Sequence, residues 1–263
     1  MKKYVEGSVY KTPTEKKRIL LDRLALNTRI VFFLKYIKIV LNCRSLALKG
    51  VYDTENWAKT SYDIFQLIED CGGKFEISGI ENLAKLDKPV VFISNHMSTL
   101  ETMIFPSIIA PYLECTFVVK DSLLTYPFFG PIMRARNPIA VSRANSREDL
   151  LKVINEGVEK LKNGISVIIF PQSTRTMEFN PKKFNSLGVK LASKANVDVV
   201  PIAIKTDFWG NGKYVKDFGK IDRSKKIHIK FGEKITIEGN GKKEHNQIVE
   251  FISENLKKWS EEE

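Results

Sequence analysis

Val90-Val91-Phe92-Ile93-Ser94-Asn95-His96-Met97-Ser98-Thr99-Leu100-Glu101 opens as an unbroken apolar run and stops abruptly at Asn-His. A short apolar run rich in β-branched residues suits a strand buried on both faces of a parallel sheet. His96 then falls at the carboxyl end of that strand, the place where ligands gather in open α/β sheets. Glu101 follows with a carboxylate. Imidazole can remove a proton near neutral pH, and an acid bonded to its far nitrogen fixes the tautomer and stabilises the imidazolium. His96 and Glu101 are therefore candidates for a catalytic base and its orienting acid. The spacing alone decides little: with three histidines and 31 acidic residues in 263, an acid at any one offset from some histidine arises by accident roughly one time in three.

Strand and helix patterns alternate outward from this segment. Strands are predicted at 75–78, 90–94, 115–119, 139–142, 166–170, 197–204 and 227–231, and helices near 100–110, 147–163, 184–195 and 244–259. In the helix at 147–163, Leu150, Leu151, Ile154, Val158 and Leu161 mark the expected inner stripe. Strands separated by helices predict an α/β fold with a mainly parallel central sheet flanked by helices. Residues 1–72 read instead as an all-helical N-terminal arm: a helix from about Thr14 to Thr28, a second over 29–43, and a third that starts on the N-cap Asp53 and ends at Gly72-Gly73. The expected organisation is thus an arm over 1–72 and an α/β domain over 73–263.

Three cysteines, Cys43, Cys71 and Cys115, lie far apart, which excludes paired zinc-ligand spacing and a dense disulfide framework. A net charge of +11 favours an anionic partner without choosing among nucleic acid, phosphorylated substrate and acidic membrane. No Arg/Lys stripe interleaved with aromatics stands out, so nucleic acid is not the expected partner. The start of the chain lacks the apolar core of a secretory signal, which predicts a protein that stays on the cytoplasmic side.

Residues 29–43 are the stretch that can touch lipid. Lys35 and Lys38 interrupt it, so its apolar runs fall well short of the ~20 residues that a spanning helix needs. On a helical wheel Lys35, Lys38 and Asn42 share a narrow face, while Ile30, Phe33, Leu34, Tyr36, Ile37, Val40 and Leu41 cover most of the rest. Two readings fit. The helix lies in the membrane interface, with Phe33, Leu34 and Ile37 in the lipid and Lys35 and Lys38 reaching headgroups, or it packs on the protein's own core.

Three further blocks follow His96 in order: Gly130-Pro131-Ile132-Met133-Arg134-Ala135-Arg136-Asn137-Pro138-Ile139-Ala140-Val141-Ser142-Arg143, then Val167-Ile168-Ile169-Phe170-Pro171-Gln172-Ser173-Thr174-Arg175, then Val199-Val200-Pro201-Ile202-Ala203-Ile204-Lys205. Together with Ser78-Gly79-Ile80-Glu81-Asn82-Leu83 ahead of them, the four blocks resemble the glycerolipid acyltransferase family, which includes the lysophosphatidic acid (1-acyl-sn-glycerol-3-phosphate) acyltransferases. That family's pattern is Asn-His-x-Ser-x-x-Asp, Gly-x-Ile-x-x-Asp-Arg, Phe-Pro-Glu-Gly-Thr-Arg and Val-Pro-x-x-Ile.

The resemblance implies transfer of a fatty acyl group from acyl-CoA or acyl carrier protein to the hydroxyl of a lysophospholipid at the cytoplasmic face of the membrane. The enzyme would be peripheral or monotopic, with no metal and no cofactor beyond the acyl donor. His96 would be the general base and Glu101 its orienter. Arg143 and Arg175 occupy the family's two motif arginines and would bind phosphate, with Lys120, Gln172, Ser173, Thr174 and Asn95 as further substrate contacts. Glu101 stands where the family has Asp, Ser142 replaces the Asp before the arginine, and Gln172-Ser173 replace Glu-Gly. These departures surround the acceptor, so a different lipid acceptor, or a non-catalytic lipid- or phosphate-binding relative, is the alternative reading. Of the other histidines, His228 alternates with Ile227, Ile229 and Phe231 and is expected on a polar strand face, and His245 on a surface helix.

Overall fold

The computed structural model describes every residue except Asn27, Ser173 and Glu263. Its strands are β1 (Val9–Lys11), β2 (Phe75–Ser78), β3 (Val91–Ser94), β4 (Cys115–Lys120), β5 (Ile139–Val141), β6 (Ser166–Ile169), β7 (Val199–Lys205) and β8 (Ile227–Phe231). Among the described residues these form a single sheet in the order β1-β2-β8-β7-β3-β6-β4-β5. The pairs β1–β2 and β7–β8 are antiparallel and the others parallel, so the sheet is mainly parallel, as its alternation with helices predicts.

The helices are α1 (Leu20–Leu24), α2 (Ile30–Leu48), α3 (Thr54–Asp70), α4 (Ile80–Ala84), α5 (Leu100–Ile109), α6 (Gly130–Ala135), α7 (Ser146–Lys162), α8 (Leu187–Ala195) and α9 (Lys242–Glu261). Side chains of β3 alternate between two cores. Phe92 packs on one side of the sheet with Phe32, Phe65, Ile104 and Phe105 from α2, α3 and α5. Val91 and Ile93 pack on the other with Val153, Leu191 and Ile248 from α7, α8 and α9. This is why β3 reads as a continuous apolar run: it has no solvent face. Gly188 lets α8 lie close on β3, because a Cβ there would come within 2.7 Å of the Ile93 side chain.

The N-terminal region differs from an all-helical arm. Val9–Lys11 is an edge strand paired antiparallel with β2, and the first helix is only Leu20–Leu24. Asp53 does cap α3, accepting from the Asn56 N–H. The larger core crosses residue 72: Phe32, Tyr36, Trp57 and Phe65 share it with Phe92, Phe105 and Phe117. The segment at α1 is also clamped to the body, since buried Asp22 accepts from Arg18 Nε at 2.7 Å and from Arg223 Nη2 at 2.8 Å.

Packing on the protein's own core accounts for only one face of α2. Phe32, Phe33, Tyr36, Val40 and Cys43 are buried, whereas Ile30, Leu34, Ile37, Leu41 and Leu48 are exposed. Phe33 was expected on the outward face and is instead in the core, its ring edge-on to Trp209 at 5.8 Å and 5.0 Å from Phe218. An apolar arc this wide exceeds what one contact can cover, so it divides. Lys35 and Lys38 are exposed beside it. Among the described residues, no helix is long and apolar enough to cross a membrane.

Two other expectations need correction. In α7 Ile154, Val158 and Leu161 pack inward as expected and are joined by Val153 and Gly157, while Leu151 is 54% exposed. Gly157 lets Leu191 of α8 press onto the helix there. His228 is buried rather than on a polar face, its ring stacked on Trp259 of α9 at 5.0 Å.

Candidate active site

β3 and β6 are neighbours and parallel, so the loops that leave their carboxyl ends meet. The Thr176 N–H donates to the His96 carbonyl at 3.0 Å and joins the two loops directly. His96 Nδ1 lies 2.9 Å from Glu101 Oε1. Glu101, in the first turn of α5, is fully buried and heavily bonded. Its Oε1 also accepts from the Met97 N–H at 2.7 Å and the Ser98 N–H at 2.8 Å, and its Oε2 from Ser98 Oγ at 2.9 Å and Thr206 Oγ1 at 2.8 Å. Burial alone would push this carboxyl up. The His96 hydrogen bond and charge, the Ser98 N–H and the Thr206 hydroxyl outweigh it, and Glu101 is held below its ordinary value. An ionised Glu101 accepts a hydrogen bond from Nδ1–H and keeps the proton on that nitrogen, which leaves Nε2 as the nitrogen with a lone pair. The imidazole also stacks on Phe170, ring centres 4.3 Å apart, which fixes its plane.

His96 opens onto a cavity of about 1010 Å³ that wraps the carboxyl edge of the sheet. On the α2–α3 side its lining is mainly apolar, with Val40, Cys43, Trp57, Ile64, Phe117 and Ile132 beside the hydroxyls of Thr60 and Ser61. On the α7–α8 side Arg143, Ser146, Asn185, Ser186 and Lys190 stand beside apolar Leu150, Val153 and Leu187. A space of this size and two-sided character can hold an acyl chain at one end and charged groups at the other.

Arg143 and Arg175 both reach this cavity. Arg175 Nη1 donates to Thr99 Oγ1 and pairs with Asp217 Oδ1 at 2.7 Å. Arg143 sits in the left-handed region at φ 61°. Its backbone N–H donates to Asp149 Oδ2 at 2.8 Å, and the Ser142 N–H to Asp149 Oδ1 at 2.8 Å. Asp149, in the first turn of α7, thus holds the turn next to the position where the family's pattern has an acid and this chain has Ser142. Burial lowers the Arg143 guanidinium from its ordinary value, and the charge of Arg175 lowers it further. Two cations that repel across one space are relieved by an anion between them, and guanidinium suits phosphate.

The remaining expected contacts divide. Lys120, at the end of β4, and Thr174 line the cavity, and Thr174 Oγ1 accepts from Lys216 Nζ at 2.9 Å. Gln172 also lines it, but its amide is committed locally: Oε1 accepts the His96 N–H at 2.8 Å, and Nε2 donates to Thr176 Oγ1 at 2.6 Å. Asn95 does not face the cavity. Its side chain bonds both the N–H and the carbonyl of Ile204 at 2.9 Å, pinning the His96 loop to β7. Ser173 lies outside the described residues. Sequence reasoning missed Thr99, Asp149, Thr206 and Asp217. Thr99 sits inside the first block and could have been singled out, but the others carry no local pattern.

Comparison with known proteins places this geometry. Residues 74–205 match the family model described as Acyltransferase. A protein named 1-acyl-sn-glycerol-3-phosphate acyltransferase from Pseudomonas aeruginosa is 31% identical over 207 residues, 77% of this chain and 76% of its own length. A protein of the same name from Saccharomyces cerevisiae is 28% identical over 192 residues, 67% of this chain and 61% of its own. The crystal structure of the 1-acyl-sn-glycerophosphate (LPA) acyltransferase PlsC from Thermotoga maritima aligns with a TM-score of 0.67 at 20% identity, covering 90% of this chain and 98% of that one, so the fold is shared. The stretch matched by the family model contains His96, Glu101, Arg143 and Arg175 and the strands that bring them to one cavity, and the chain belongs to the acyltransferase family.

Proposed function

We propose that this chain works at a membrane surface, moving a fatty acyl group from a thioester donor, acyl-CoA or acyl carrier protein, to the free hydroxyl of 1-acyl-sn-glycerol-3-phosphate to give phosphatidic acid. The observation that carries the reading is the 2.9 Å contact of His96 Nδ1 with Glu101, on the wall of a cavity shared with two arginines. His96 Nε2 takes the proton from the acceptor hydroxyl as its oxygen attacks the thioester carbonyl carbon. The tetrahedral adduct collapses, the carbon–sulfur bond breaks, and the departing thiolate recovers the proton from the imidazolium. Glu101 stabilises that imidazolium between the two transfers. No covalent acyl-enzyme and no further cofactor enter this scheme.

Arg143 and Arg175 would hold the acceptor phosphate, and the apolar end of the cavity would take the acyl chain. The exposed stripe of α2, with Lys35 and Lys38, would rest on the cytoplasmic leaflet, where the thioester donors are available. Acyl transfer by the purified protein, with acyl-CoA and a panel of lysolipid acceptors, tests the proposal. The expected result is turnover that prefers 1-acyl-sn-glycerol-3-phosphate and is lost in His96→Ala. Near-normal turnover in that variant would remove the mechanism, and a preference for a phosphate-free acceptor would remove the role of the arginines.

A further inference from the structure

We infer that two segments outside the N-terminal helices, residues 121–129 and 211–218, insert side chains into the bilayer beside α2, so that three separate elements seat the cavity mouth on lipid. The inference rests on the membrane-surface reading above and adds the elements that would make the contact.

Each segment presents large side chains to solvent. In the first, Tyr126 is 45% and Phe128 56% exposed; in the second, Tyr214 is 92% and Val215 43% exposed. Exposed aromatic and aliphatic side chains grouped on adjoining elements mark an interaction surface rather than ordinary scatter. Both segments are fastened to α2. Arg44 Nε donates to the Pro127 carbonyl at 3.4 Å, and Arg29 Nη1 to the Phe218 carbonyl at 2.7 Å. These two arginines stand about 22 Å apart along the helix at ordinary helical rise. Between them runs the exposed stripe of α2, in which Leu34, Ile37 and Leu41 follow helical spacing on one face.

The cavity identifies the occupant. Tyr126, Tyr214 and Val215 line it and are exposed, so both segments stand at its entrance, while buried Val40 and Cys43 of α2 line it from within. A protein partner seated across them would close that entrance. A bilayer covers the apolar side chains and at the same time supplies an acceptor whose acyl chain enters from it. Tyrosine suits the headgroup boundary, with its ring in the apolar layer and its hydroxyl wet. Lys35, Lys38 and Lys213 are exposed around the surface, and Lys213 lies over the Tyr214 ring at 5.7 Å, which favours anionic headgroups.

The test uses the full chain with Phe128→Cys, Tyr214→Cys and Leu34→Cys made singly and labelled with an environment-sensitive dye. The native cysteines are buried, so the label reports the chosen position. On vesicles of mixed neutral and anionic phospholipid, a blue shift and quenching by bilayer-embedded quenchers are expected at all three positions. Phe128→Ser combined with Tyr214→Ser should lower vesicle partitioning by about tenfold or more. If the unmodified protein fails to bind such vesicles, the membrane reading falls and this inference with it. If the protein binds and the label at 34 shifts while that at 128 or 214 stays aqueous, the inference alone is overturned.

Discussion

Asp217 Oδ1 and Arg175 Nη1 meet at 2.7 Å inside the cavity, so the arginine expected to bind phosphate already carries a carboxylate partner. The partner comes from the segment between β7 and β8, outside the stretch that matches the family. Its charge both orients the guanidinium and repels an incoming phosphate. Asp217→Asn keeps an oxygen for the hydrogen bond and removes the repulsion, which at an effective protein dielectric is worth about 1 kcal/mol, or about a fivefold fall in KM for a phosphate-bearing acceptor. Asp217→Ala should instead lower kcat, because the guanidinium loses its anchor. Steady-state kinetics with the acceptor varied separates the two. An Asn variant with unchanged or higher KM would show that Asp217 acts only as an anchor.

Glu101 is one methylene longer than the acid of the family's pattern, and the structure shows where the extra length goes. From the first turn of α5 it reaches His96, two backbone N–H groups and the Thr206 hydroxyl together. Glu101→Asp should therefore lose activity rather than gain it. Losing one hydrogen bond to a charged group costs about 1.5–3 kcal/mol, so a fall in kcat of at least about tenfold is expected. Glu101→Gln keeps the length but not the charge that stabilises the imidazolium. A fully active Asp variant would mean that the helix start shifts to close the gap.

Much of this was legible in the sequence because it depends on local pattern. The unbroken apolar run at β3 signalled a strand with no solvent face, and the residues just past strand ends located His96 and Arg175. What stayed hidden depends on partners distant in the chain. Asp217 is 42 positions from Arg175 in a segment of mixed polarity with no periodicity. Asn95 looked like a site residue because it precedes His96, yet its amide is used on the backbone of β7. Val9–Lys11 is too short for any period to show, and it exists as a strand only because β2 offers an edge. His228 alternates as if one strand face were wet, but α9 covers that face and alternation lost its meaning.

The two faces of α2 should separate in measurement. Phe33 is buried among Trp209, Tyr36 and Phe218, so Phe33→Ala should lower the unfolding free energy by about 3–4 kcal/mol through the cavity it leaves. Leu34, one residue on, is 65% exposed. Leu34→Ser should change stability by no more than about 0.5 kcal/mol while weakening vesicle binding. Denaturant unfolding and vesicle flotation on the same two variants decide the matter. Equal loss of stability in both would place Leu34 in the core as well.

His228 gives the fold a dependence on pH that is distinct from catalysis. Its ring is buried against Trp259, and among the described residues neither ring nitrogen has a hydrogen-bond partner. Burial pushes the imidazole below its ordinary 6.5, with Glu76 opposing and Lys205 assisting. Between that lowered value and 6.5 the folded chain binds fewer protons than the unfolded one. Stability is therefore complete above that range and declines as the pH falls through it, by up to about 1.4 kcal/mol per pH unit. The depressed carboxyl of Glu101 contributes in a separate window: its stabilisation is present above 4.5 and is lost as the pH falls through its folded value. His228→Phe keeps a flat ring on Trp259 and removes the proton site, so it should flatten the decline that sets in as the pH falls below 6.5. Subtracting its unfolding curves from those of the unmodified protein cancels His245, which burial also lowers. Parallel losses in the two proteins across that range would mean that the buried ring admits a proton without cost.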